Sequence, residues 1–117
     1  MSLAWKLFSA GLNTLQVASI NDCASGLTAT GTNQATALEL VNAASHFSTV
    51  AASTGAILSS KAAPGDVQYV YNMGANTLKV YPPSGAQIMN GGTNVAFSVL
   101  TMTAGLFVCF SATEWAA

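Results

Sequence analysis

The run Val67-Gln68-Tyr69-Val70-Tyr71-Asn72-Met73-Gly74-Ala75-Asn76-Thr77-Leu78-Lys79-Val80-Tyr81 points to a β protein. Val67, Tyr69 and Tyr71 alternate with Gln68 and Val70, the period of a strand with two different faces. Residues 72–76 carry Asn and Gly where a chain must bend, and Leu78 to Tyr81 then resume. Two apolar runs flanking such a bend predict a β-hairpin. Downstream, Pro82-Pro83-Ser84-Gly85 ends the second run, Ala86 to Met89 is a short third, and Asn90-Gly91-Gly92 turns again. Val95, Phe97 and Val99 alternate once more, a loop is expected over residues 101–105, and Leu106 to Phe110 closes the series. Turn signals recurring about every ten residues are the spacing of a sandwich or barrel.

Upstream, Thr36-Ala37-Leu38-Glu39-Leu40 alternates like a strand, although residues 35–44 also suit a helix. Gly26, Gly31 and Thr32 before it, and Phe47, Thr49 and Val50 after it, favour strand. Ile57 and Leu58 predict a further short strand. Leu3, Leu7, Phe8, Leu12 and Leu15 fall at helical spacing beside Trp5, but Gly11 and Asn13 weaken a helix there. The alternatives are an arm across a neighbouring subunit, anchored by Trp5, Leu7, Phe8 and Leu12, or closure of one end of the chain's own core. The expected architecture is all-β: a β-sandwich or jelly-roll-like domain over residues 26–117, with an N-terminal arm or short helix over residues 1–25.

The 117 residues suffice for one domain with a real core. Charged residues are 6% of the chain, against about 25% in ordinary soluble proteins. Its only cations, Lys6, Lys61 and Lys79, lie far apart, and there is no arginine. Binding to nucleic acid or to an anionic membrane surface is therefore not expected, since both need clustered basic side chains. The apolar stretch over residues 95–110 is broken by Ser98, Thr101, Thr103 and Gly105 and is too short for a membrane helix. Residues 7–18 include Ser9, Gly11, Asn13, Thr14 and Gln16, unlike a secretory core, so export is not expected. Exposed faces are expected to consist of Ser, Thr, Asn, Gln and Gly, a neutral surface that suits a permanent assembly.

Chemistry is sparse. His46 is the only histidine and has no acid near it in sequence; Asp22, Glu39, Asp66 and Glu114 are scattered. Cys23 and Cys109 lack metal-ligand spacing and allow three readings: buried small hydrophobes, a long-range disulfide, or a reactive thiol. Asn90-Gly91-Gly92 matches no phosphate-binding pattern. No cofactor, metal or catalytic residue is expected, and the chain does not read as an enzyme. The aromatics, Tyr69 and Tyr71 among them, are assigned to core and inter-subunit packing. Trp115 is expected either to tuck onto the core or to serve an interface. Gly31-Thr32-Asn33-Gln34-Ala35 is echoed by Gly92-Thr93-Asn94-Val95-Ala96, a shared turn chemistry rather than a duplication.

Three segments together carry a resemblance: residues 26–38 from Gly26-Leu27-Thr28 to Leu38, residues 74–88 from Gly74-Ala75-Asn76 to Ile88, and Ser111-Ala112-Thr113-Glu114-Trp115. In this texture of turns and strands the chain resembles small virion-associated structural proteins of tailed bacteriophages and prophages. The resemblance implies a capsid cement or decoration subunit, assembled in the host cytoplasm and placed on the virion surface. It also implies a homo-oligomer, expected to be a trimer, bound to the major capsid protein. A tail or fibre module binding host glycan is the competing implication. Residues 1–25 lie outside the resemblance.

Overall fold

A computed structural model describes residues 22–117. Among these residues are ten strands, of which the first nine alternate between two sheets: β1 (Cys23–Thr28), β2 (Leu38–Glu39), β3 (Ala44–Thr49), β4 (Gly55–Ile57), β5 (Val67–Asn72), β6 (Leu78–Tyr81), β7 (Gln87–Ile88), β8 (Phe97–Val99), β9 (Thr103–Cys109) and β10 (Glu114–Ala116). Sheet A has the order β1-β3-β5-β9-β10-β7, and sheet B the order β2-β4-β6-β8. The all-β class expected from the sequence is present, with no helix among the described residues.

The connectivity is not that of a jelly roll. β1, β3 and β5 pair in parallel in sheet A, while β2, β4 and β6 pair in parallel in sheet B. Each passage from one sheet to the other and back is one coil of a solenoid-like stack. Cys23 lies opposite Ala44, and Ala44 opposite Tyr69, so successive coils are 21 and 25 residues long at this register. The stack ends when the chain reverses: β8 packs antiparallel on β6, and β9 antiparallel on β5.

The expected hairpin over residues 67–81 is therefore a corner. β5 and β6 belong to different sheets, and the bend between them carries the chain across the core. Asn72 explains the difference. Fully buried, it donates from Nδ2 to the carbonyls of Asn76 (2.9 Å) and Val99 (3.0 Å), while its Oδ1 accepts the Gly74 N–H (2.9 Å). The Gly74 carbonyl in turn accepts the Thr101 hydroxyl. A Cβ on Gly74 would sit 2.6 Å from Val50, so only glycine lets the corner close this tightly.

Gln68, four residues earlier on the same face, does the same work at the opposite end of β5. Its amide donates to the Leu40 carbonyl (3.1 Å), and its Oε1 accepts the Ser59 N–H (2.8 Å), tying two earlier corners to this strand. Between these amides the inner faces bury Phe47, Val70, Leu78, Val80, Phe107 and Trp115, among others, in one core. Phe97 meets Phe107 edge-on, with centroids 5.6 Å apart.

Smaller differences follow. β9 begins at Thr103, inside the loop expected over residues 101–105, and Glu114–Ala116 forms a strand the alternation did not reveal. β1 begins at Cys23, within the segment assigned to the arm. The rest of that segment, residues 1–21 with Trp5, Leu7, Phe8 and Leu12, lies outside the described residues. The two Gly-Thr-Asn echoes are turns that touch, Gln34 donating to Asn94 Oδ1 at 3.2 Å.

Candidate interaction surface

Side chains along a strand alternate in direction, so a strand whose amides point inward must point its other residues outward. On β5 these are Val67, Tyr69 and Tyr71. Register extends the set across sheet A: Ala44, Tyr69 and Leu106 form one row, His46, Tyr71 and Ala104 a second, and Val67, Val108 and Ala116 a third. Tyr69 is 43% exposed and Leu106 49%, and Phe110 beyond the end of β9 is 63% exposed. The neutral polar surface expected from composition is thus replaced here by an apolar and aromatic one. Among the strand residues of this sheet, Glu114 is the sole acid or base of the Asp, Glu, Lys and Arg type. It sits on β10, toward one side of the sheet, where its carboxylate accepts the Gln87 amide at 2.6 Å.

His46 belongs to this face. Its ring stacks on Tyr71 with centroids 5.7 Å apart and planes 14° from parallel. Its Nδ1 is buried without a hydrogen-bond partner among the described residues.

Trp115 takes the first of the two readings offered for it: at 2% exposure it is core, opposite Cys109 on β9 and Ile88 on β7. Cys23 is exposed and Cys109 buried, and both are free. They lie on β1 and β9, three strand spacings or roughly 14 Å apart across the sheet alone, well beyond the Cα separation a disulfide spans. Burial first, and the Asp66 carboxylate second, push the Cys109 thiol above its ordinary value, with the Ser111 backbone acting the other way.

A groove of about 430 Å³ opens beside the corners, lined by Asp22, Val41, Asn42, Lys61, Asp66 and Gln68 among others. Its polar groups are largely committed: Asp66 accepts the Ala63 N–H (2.9 Å), Asp22 accepts the Asn42 amide (2.5 Å), and Gln68 holds the corners. No three His, Cys, Asp or Glu residues gather to hold a metal ion among the described residues.

The surface residues Tyr69, Leu106 and Val67 were not singled out from sequence as a site. The signal was there in Gln68 and Asn72, two amides four residues apart on one strand face, opposite a face of valine and tyrosine. Comparison with protein-family models, curated proteins and solved structures finds no match for this chain.

Proposed function

We propose that this chain is a structural subunit of a virion, a bacteriophage capsid cement or decoration protein. In this reading it acts as a homo-oligomer, a trimer, that clips neighbouring subunits of the shell. The observation that carries the proposal is the outer face of sheet A, where Tyr69, Leu106 and Val67 stand exposed without a charge among them. The largest apolar patch on a soluble protein is often an interaction site. A contact made by apolar and neutral groups changes little with salt, whereas charged contacts are screened within about 8 Å at physiological ionic strength. Many copies on a lattice multiply weak single contacts into firm attachment.

The exposed aromatics Tyr69 and Phe110 also suit a tail or fibre module that binds glycan. Quantitative mass spectrometry of purified particles separates the two. Hundreds of copies, located on the shell by imaging, support a cement protein; a few to a few tens at the tail support the glycan module; absence from particles ends both.

A further inference from the structure

We infer that the outer face of sheet A is where copies of this chain meet one another. The inference rests on the reading of the chain as an assembly subunit and assigns that role to one surface and one partner, a second copy.

Charge is the first argument. A face that binds a different protein commonly gains specificity from complementary charges, and a face that meets its own copy must avoid like charges in opposition. β3, β5 and β9 contribute no Asp, Glu, Lys or Arg, so their outer rows face a copy of themselves without repulsion. The described strand charges other than Glu114 are Glu39 and Lys79, both on sheet B. Area is the second argument. Strands about 4.8 Å apart and some six residues long make the face of sheet A a plane of roughly 400 Å² before side-chain relief. A standard interface buries about 800 Å² on each partner. The sheet alone supplies about half of that, which predicts a concentration-dependent oligomer rather than an obligate one.

Sedimentation velocity of the full chain across the micromolar range tests this. Wild type is expected to form an oligomer, and Tyr69→Lys and Leu106→Lys to raise its dissociation constant roughly thirty-fold, the scale of an interface hot spot. Lys79→Glu, on the other sheet, is expected to leave association unchanged. Circular dichroism verifies folding, and Tyr69→Ser with Leu106→Ser repeats the test should the lysine variants unfold. A wild-type monomer throughout the range overturns the inference, as it would if residues 1–21 of the same chain covered the face. An oligomer indifferent to both substitutions, or one that persists while the variants lose only shell binding, also overturns it. Particle composition is read separately. A chain that meets its copies but is missing from virions sinks the cement proposal and leaves this one standing.

Discussion

The two sheets share a core and differ outside. On sheet B the outward rows run Glu39, Ile57, Tyr81 and Gly55, Lys79, Ser98, with a charge in each. Across β3, β5 and β9, sheet A presents Ala44, Tyr69, Leu106 and His46, Tyr71, Ala104, with no acidic or basic side chain besides histidine. Both surfaces come from the same coils, so the contrast is not a matter of strand propensity. A charge on an exposed sheet face resists burial against another chain, because it must be desolvated. Sheet B carries a charge in each of these outer rows and the centre of sheet A carries none, the contrast behind the proposed contact between copies.

The sharpest way to break this comparison uses neighbours on β9. Phe107 is fully buried and Leu106 is 49% exposed, one residue apart. Phe107→Ala is expected to cost about 3–5 kcal/mol in denaturant unfolding, and Leu106→Ala under about 1 kcal/mol, measured at concentrations where the chain is monomeric. Equal losses would mean that the faces are misassigned. Next in size is Asn72→Ala, expected to cost about 3 kcal/mol because three backbone groups at the corner lose a buried partner. If Asn72→Ala proves as mild as a surface change, the corner does not depend on this amide, and the outward setting of Tyr69 and Tyr71 needs another cause.

How much of this was legible in the sequence follows from the range of each interaction. Strand positions were readable at residues 67–72, 78–81, 87–88 and 97–99 because Gly, Asn and Pro punctuate the chain locally. Topology was not. The bend at residues 72–77 is equally good chemistry for a hairpin or a corner, and the choice is made by Asn72 reaching the Val99 carbonyl, 27 residues away. Coils of 21 and 25 residues carry no repeated motif, so self-similarity offered no warning of stacked parallel strands. Burial departed from hydropathy at three positions on β5, with Gln68 and Asn72 inside beside Val70 and Tyr69 outside. Of the interface residues named from sequence, Trp115 proved to be core, and Trp5, Leu7, Phe8 and Leu12 lie outside the described residues.

A smaller effect separates the two thiols. Cys23, on the exposed edge of β1, is expected to react promptly with a thiol reagent, and Cys109 only as the chain unfolds. The raised value of Cys109 also has a pH consequence. A group whose folded pKa lies above its unfolded one contributes stability that is full below the unfolded value and is lost as pH rises through the folded value. Stability should therefore fall above about pH 9, the ordinary value for this thiol. Part of that loss should disappear in Cys109→Val, with unfolding compared at neutral and alkaline pH. An identical alkaline loss in the variant would remove Cys109 as a contributor.

The smallest effect concerns the one polar ring on the apolar face. His46 offers its stack to Tyr71 and keeps a buried Nδ1 that no described residue satisfies. An unsatisfied buried polar atom costs free energy, and an apolar group of similar shape is neutral or better in its place. His46→Phe keeps a flat ring beside Tyr71 and deletes the orphan atom, so it is expected to shift unfolding by no more than about 1 kcal/mol, in the stabilising direction. It should also leave self-association intact, since the face gains only apolar surface. Should His46→Phe destabilise the monomer by several kcal/mol, Nδ1 has a partner in solution and His46 is more than a member of a packing face. That outcome would also weaken the contrast between the sheets, by placing a working polar group at the centre of the side otherwise without one.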